Sequence, residues 1–434
     1  MECKFCRECG ACKKITGNKI FAIDEYKKFE KQNDFSQNKK GIAIDIGTTT
    51  LAFELIDMGT GARIAAHTQA NSQRVFGADI ISRISNANEG NLASLHKYIK
   101  EDVRQGITAV LRQGDVDENE IAQIAIAGNT TMLHILQNFS CKTLGVYPFT
   151  PVSVELVRTE WIPRKARQDD DGFSPLVILP GVSAFIGADI VAGIFLCECA
   201  ETFLLIDLGT NGEMVLSHGG KIFAASAAAG PAFEGGNIST GMASVPGAIA
   251  CVKFSPEKNV FNYETIENAP PVGIAGTGVI DICAEIFRHG LADKTGLLKS
   301  GKKINICDGD SGKISFTQKD IREVQLAKSA VRAGIEILVA EAGISFEKIQ
   351  KVFLAGGFGY RMNVENAVAL GLMPEQLKDK IIPAGNSALG GCAKFLMNPS
   401  RENEIIKLAQ SIKEINLSEH PKFNELFLHG LTHG

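Results

Sequence analysis

One statement is written twice in this chain, and no other feature constrains the fold as strongly. Residues 41–66 read GIAIDIGTTTLAFELIDMGTGARIAA, and residues 203–225 read FLLIDLGTNGEMVLSHGGKIFAA. Each holds an apolar run, an aspartate, a Gly-Thr turn, a second apolar run, and a glycine turn into a third. Asp45 aligns with Asp207, Gly47 with Gly209 and Thr48 with Thr210, a spacing of 162 residues. That spacing is the length of a domain, so it fits duplication of a whole domain better than a short solenoid repeat. Each copy is expected to open with a β-hairpin that carries its aspartate at the tip.

The rest of the chain is compatible with that plan. Its 434 residues are 45% hydrophobic and 22% charged, which describes an ordinary globular protein and excludes a disordered or fibrous one. Residues 320–342 place apolar side chains at 321, 324, 326, 327, 331, 335 and 338, a helical stripe with Asp320 as N-cap. Residues 401–414 read as a further amphipathic helix. Strands alternating with helices argue an α/β fold. The charge-free stretches 172–188 and 235–252 are broken by Pro175 and Pro180 or by Gly, Ser and Asn, so neither can span a membrane. A net charge of -4 gives no reason to invoke nucleic acid or a membrane surface. No charged segment followed by an apolar run precedes the first cysteines, so no secretory signal is expected and a cytoplasmic protein is expected.

The two Gly-Thr turns have a chemical use. A tight turn of Gly and Thr presents backbone N–H groups and hydroxyls that can grip phosphate oxygens. Gly47, Thr48, Thr49 and Thr50 form the first such turn, and Gly209, Thr210, Asn211 and Gly212 the second. Asp45 and Asp207, each just before its turn, are placed to hold Mg²⁺, which favours one or two carboxylates together with phosphate oxygens. A single copy is equally readable as a structural hairpin; two in register favour the phosphate reading. The apolar strand KVFLAGGFG ends in Gly356, Gly357 and Gly359, where a bare backbone would let adenosine lie close. Gly276, Thr277 and Gly278 open a helix suited to receive phosphate at its N-terminus.

The other anomaly is at the N-terminus. Four of the 11 cysteines, Cys3, Cys6, Cys9 and Cys12, crowd the first twelve residues. Residues 1–40 carry ten Lys/Arg against six Asp/Glu, a small basic head on an acidic body. Three cysteines at two-residue spacing wrap around adjacent corners of an iron–sulfur cube, one 4Fe–4S cluster, and this is favoured over zinc or idle thiols. The fourth ligand is either Cys12 or a cysteine of another chain. Cys141, Cys197, Cys199, Cys251, Cys283, Cys307 and Cys392 read as small buried residues. The organisation is therefore a cysteine segment at 1–18, a linker at 19–40, one domain at 41–196 and a second at 197–434.

DIGTTT, DLGTNGE and FLAGGFG together resemble the two phosphate motifs and the adenosine motif of the superfamily of sugar and acetate kinases, heat-shock chaperones and actin. The resemblance implies two ribonuclease-H-like domains closing on ATP. IAGNTTMLHIL (125–135), LGVYPFTP (144–151), SAAAGPAFEGGNISTGM (226–242) and DIREVQLAKSAVRAGI (320–335) are more specific. They resemble the ATP-dependent reductive activators of corrinoid-dependent methyltransferases. Such a family implies ATP-driven delivery of an electron from an iron–sulfur domain to a corrinoid protein, returning Co(II) to Co(I). It implies a low-potential electron donor, and such a body is compatible with a homodimer. Better-known relatives carry a plant-type 2Fe–2S ferredoxin domain before the body or a two-cluster one after it; here the short head stands in their place.

Within that resemblance, Glu234 in the glycine-rich loop 226–242 is a candidate for orienting water, or else a capping residue, and Glu213 is a second candidate. His134 reads as structural. Alternative functions are an electron-priming ATPase for an acyl-CoA dehydratase, a small-molecule kinase with a zinc-binding tail, and a nucleotide-dependent scaffold.

Overall fold

The computed structural model describes residues 39–163, 173–197, 201–309, 312–356 and 362–432. The cysteine segment 1–18 and the linker as far as residue 38 lie outside the described residues. The chain divides into two compact units.

In the first unit, strands β1 (Lys40–Ile46), β2 (Thr50–Asp57), β3 (Arg63–Ala70), β4 (Ile121–Gly128), β5 (Val157–Pro163) and β6 (Phe173–Ile178) form one sheet in the order β3-β2-β1-β4-β6-β5. The hairpins are antiparallel, whereas β4 joins β1, and β6 joins β4, in parallel. Its helices are α1 (Ile80–Asn86), α2 (Leu92–Gly114), α3 (Thr130–Leu136) and α4 (Ala188–Leu196), with α2 packed on β2 and β3.

The second unit repeats the scheme. Strands β7 (Phe203–Leu208), β8 (Gly212–His218) and β9 (Lys221–Ala227) form the hairpins. A second layer follows, with β10 (Ala248–Ser255), β11 (Val260–Thr265), β12 (Gly273–Ile274), α5 (Gly276–Arg288), β13 (Lys303–Gly309), β14 (Gly312–Thr317) and α6 (Gln318–Glu341). Then come β15 (Lys351–Ala355), α7 (Val364–Leu370) and β16 (Ile381–Gly385). Its main sheet contains the order β16-β15-β7-β8-β9, with β15 parallel to β7 and β16 parallel to β15. In both sheets a three-stranded antiparallel meander is followed by two strands parallel to its first; the first sheet adds β5, antiparallel to β6, at its edge. The fold is thus the duplicated, actin-like α/β architecture, two ribonuclease-H-like sheets.

Four details differ from the sequence reading. Asn386–Glu414 belongs to the first unit, so the second does not run unbroken to residue 434. Its helix α8 (Ser387–Met397) packs on β1, β4 and α4, which accounts for the return. The following helix, α9, spans Glu402–Ser411 and stops before 414. Helix α6 begins at Gln318 with Thr317 as its cap. Asp320 is instead the third residue of a reciprocal capping box, and it also takes the Ser239 amide at 2.8 Å. Finally, Asp45 and Asp207 are not hairpin tips; each sits inside its strand, one residue before the end.

The core also holds a charge out of place. Glu54 on β2 is 1% exposed, and among the described residues neither carboxylate oxygen has a hydrogen-bond partner. Arg63 stands 3.6 Å away. Burial pushes the Glu54 carboxyl up to about 7, only partly opposed by that guanidinium. The folded chain therefore holds this proton to higher pH than the unfolded chain, whose glutamate titrates near 4.5. Stability is lost as pH rises through that window. Glu54→Gln is expected to be more stable than the native chain at pH 8 by roughly 2–3 kcal/mol in urea unfolding, with the gap closing below pH 4.5. A gap independent of pH would show that Glu54 ionises normally. Among the described residues, no helix is long and apolar enough to cross a membrane.

Candidate functional site

In the first unit the turn Gly47–Thr50 closes through the Gly47 amide on the Thr50 carbonyl at 3.0 Å. Thr48 is half-buried, while Thr49 and Thr50 are exposed. The turn is braced from within: Asn71 donates from its side chain to the Gly47 carbonyl at 2.9 Å and from its amide to the Thr49 carbonyl at 2.9 Å. Asn129, the N-cap of α3, accepts the Met132 amide and donates to the Thr48 hydroxyl at 3.1 Å. Asp45 accepts from the Asn386 side chain at 2.6 Å, and Asn386 also caps α8 by accepting the Leu389 amide at 2.8 Å.

A second carboxylate stands near Asp45. Asp189, in the first turn of α4, lies close to Asn129, since a Cβ on Gly187 would fall 2.7 Å from both Asp189 Oδ1 and Asn129 Cα. Enclosure by protein pushes the Asp45 carboxyl up to about 7; the Asn386 hydrogen bond opposes this, and the Asp189 charge adds to it. Enclosure likewise raises Asp189 to about 6, against the pull of the Ile190 amide. Both side chains are half-buried, so they keep an opening to solvent. Two enclosed carboxyls that resist ionisation together are a place where a divalent cation is favourable.

In the second unit the turn is one residue shorter. Leu208 pairs with Gly212 across Gly209, Thr210 and Asn211, whereas Ile46 pairs with Leu51 across four residues. Asp207 consequently faces Glu213, and Glu213 faces Ser226, which donates to it at 3.3 Å. At the equivalent place beside Asp45 stands Ala52. The Thr210 hydroxyl donates to Glu234 at 2.7 Å. Glu234 is exposed yet surrounded closely enough for burial to raise its pKa, with the Thr210 hydrogen bond opposing the shift. Gly356 has φ +99°, and a Cβ there would overlap the Leu208 carbonyl and lie 3.0 Å from Asp207 Oδ1, so glycine is required. Gly357 and Gly359 lie outside the described residues.

The opening of α5 is packed tightly. A Cβ at Gly276 would overlap the Phe233 carbonyl, one at Gly278 the Ile249 carbonyl, and Thr277 donates its hydroxyl to the Ala250 carbonyl at 2.7 Å. These residues seat the helix against the Glu234 loop and β10, and the Thr277 hydroxyl is committed there. Sequence reasoning missed Asp189, Asn129, Asn71 and Asn386. The signals were present as asparagines before helical turns and an acid in the Gly187-Ala188-Asp189 helix start, but such signals are common to many helix termini.

Cys3, Cys6, Cys9 and Cys12 lie outside the described residues. Among the described residues, no group of three or more His, Cys, Asp or Glu side chains is arranged for a metal. Cys141, Cys197, Cys283 and Cys392 are buried and Cys307 half-buried, while Cys199 lies outside the described residues. Cys251 departs from the expectation of burial: it is exposed, on the side of β10 that alternates with buried Val252 and Phe254. His134 is buried, its Nδ1 bonded to the Thr130 carbonyl at 2.9 Å while Nε2 accepts the Val152 amide at 2.9 Å.

Comparison with known proteins agrees with this fold. Residues 201–433 match the C-terminal domain of RACo, the ASKHA domain, and residues 40–202 match the RACo middle region. The corrinoid activation enzyme RamQ of Eubacterium limosum is 31% identical over 440 aligned residues, covering 95% of this chain and 72% of that protein. The Co(II) methylated amine-specific corrinoid protein reductase of Methanosarcina barkeri is 29% identical over 430 residues, covering 91% and 77%. A solved structure, the reductive activator for corrinoid, iron-sulfur protein, superposes with a TM-score of 0.79 at 31% identity, covering 92% of this chain and 67% of that one. With its duplicated fold, and with the two family regions together matching residues 40–433, the chain belongs to the RACo family of reductive activators, ATPases of the ASKHA fold.

Proposed function

We propose that this chain couples ATP hydrolysis to delivery of one low-potential electron to a corrinoid protein, returning Co(II) to Co(I). The observation that carries the reading is the pair of Asp-x-Gly-Thr segments, each with its carboxylate held in the strand beside the turn. In this reading Asp45, with Asp189 as its neighbour, and Asp207, with Glu213 opposite, serve Mg²⁺. Mg²⁺ keeps several waters and takes its remaining ligands from phosphate, so one or two carboxylates suffice. Gly47–Thr50 and Gly209–Gly212 hold the phosphates through N–H groups and hydroxyls. Gly356, Gly357 and Gly359 receive adenosine. Glu234 orients water, and its hydrogen bond to the Thr210 hydroxyl is the contact that phosphate would disturb.

An iron–sulfur cluster on Cys3, Cys6, Cys9 and Cys12 would supply the one-electron chemistry when bound. The same reading takes a low-potential reductant as donor and the cytoplasm as the compartment. ATP is needed because a one-electron mismatch of a few hundred millivolts makes the uncoupled transfer unfavourable by several powers of ten. Coupling requires that a nucleotide state favour one state of the acceptor protein over another. Addition of a Co(II) corrinoid protein is therefore expected to raise ATP turnover several-fold, and Co(I) should accumulate only with ATP and reductant together. The absorbance spectrum of the corrinoid and phosphate release, followed anaerobically in one sample, check both. Co(I) formation at equal rate without ATP would overturn the coupling; transfer of phosphate to a small-molecule acceptor would favour a kinase.

A further inference from the structure

Behind the Gly47–Thr50 turn the first unit buries a cation to which nothing above gives a role. Arg83, on α1, is 0% exposed. Its Nε donates to the Gly77 carbonyl at 3.0 Å, and Nη1 to Gln73 Oε1 at 3.3 Å and to the Met132 sulfur at 3.1 Å. Nη2 has no hydrogen-bond partner among the described residues. The two carboxylates that act on it electrostatically are committed elsewhere. Asp79 accepts the Ser82 amide at 2.8 Å, and Asp102 accepts the Ser72 amide and hydroxyl at 2.8 and 2.7 Å. Burial lowers the guanidinium only to about 10, so it keeps its charge at neutral pH. A buried charge without a bonded counter-ion costs stability, and removing it for an apolar group is often favourable to the fold alone.

The surroundings of Arg83 connect it to the turn. The Met132 sulfur that meets Nη1 also meets Asn71 Nδ2 at 3.7 Å, and that same Nδ2 donates to the Gly47 carbonyl at 2.9 Å. The Met132 amide is capped by Asn129, whose side chain holds Thr48. The guanidinium is thus linked to the turn by three contacts in series, through Met132 and Asn71. Resting on the reading of that turn as phosphate-binding, we propose that Arg83 is a positioning residue for nucleotide: a buried counter-charge that braces the turn through Met132 and Asn71 and attracts the polyphosphate without touching it. At a separation of about 10 Å and an effective dielectric near 20, one unit of opposite charge changes a binding constant by roughly tenfold. A buried path is screened little by salt. The attraction scales with phosphate charge and is absent for adenosine.

The test uses the full chain, Mg²⁺, and three probes by calorimetry: a non-hydrolysable ATP analogue, ADP and adenosine. Arg83→Met is expected to weaken the ATP analogue roughly tenfold and ADP less, with adenosine unchanged; Arg83→Lys should stay within about threefold for all three. Equal weakening of ATP analogue and adenosine, or no change in either, overturns the proposal. Should Arg83→Met fail to fold, Arg83→Gln against Arg83→Lys decides it: a fall in the ATP-to-adenosine affinity ratio for Gln alone supports the counter-charge, and equal ratios overturn it. Failure of the native chain to bind the ATP analogue would instead sink the phosphate reading on which the proposal rests.

Discussion

ATP turnover is expected to fall by two to three orders of magnitude in Asp45→Asn and again in Asp207→Asn, with both variants folded. The expectation follows from the charge each position supplies. Asparagine keeps the shape of the side chain, and at Asp45 it can still accept the Asn386 amide that lies 2.6 Å away in the native chain. Only the negative charge is lost, and with it, in the proposed function, the means of holding Mg²⁺ against the phosphates, where the ion would offset developing charge. The second position has a built-in contrast, because Asp207 faces Glu213 while Asp45 faces Ala52. Glu213→Gln is accordingly expected to do less harm than Asp207→Asn. Phosphate release at saturating Mg-ATP measures these effects, and circular dichroism confirms folding. Turnover within threefold of native in both aspartate variants would show that the site lies elsewhere.

Loss of Co(I) formation to the rate without activator is expected when Cys3, Cys6 and Cys9 are changed together to serine. ATP turnover without the corrinoid partner should be retained. The physical reason is that cluster iron needs thiolate sulfur, and a serine hydroxyl neither ionises readily nor matches the softness of sulfur. Iron and sulfide content of anaerobically purified protein, beside Co(I) formation and phosphate release, separates the two halves of the function. Cys12→Ser alone discriminates the fourth ligand: retained iron at native stoichiometry places that ligand outside this position. A native protein carrying zinc and no iron would sink the electron-transfer reading and leave the nucleotide reading intact.

Much of the fold was legible because the signals that specify it are local. Apolar runs of strand length, the glycine turns at Gly47 and Gly209, and the stripe along 320–342 each report on a few neighbouring residues. Their repetition at domain spacing then implied the duplicated architecture that the two sheets display. Boundaries were less legible. Thr317 rather than Asp320 caps α6, since both residues bear oxygen acceptors and only the backbone path decides which one stands outside the helix. The one-residue difference between the two turns was also hidden, because an ungapped alignment of DIGTTTL with DLGTNGE places Leu51, and not Ala52, against Glu213.

By itself the sequence determined the two aspartates, the two turns and the cysteine head, each a short motif whose chemistry resides in adjacent residues. Only the tertiary structure decided what surrounds the aspartates and the turns. Asn386 reaches Asp45 across 341 positions of chain, and Asp189 arrives on a different helix from either. Arg83 comes behind the first turn through Met132, 49 positions away. None of these partners is marked by its neighbours in sequence, because an asparagine at a helix start or an arginine in a short helix satisfies local rules wherever it occurs. Their pairing depends on close packing of β1, α4 and α8 around one strand end, and a strand's own residues do not state which distant helix will cover it.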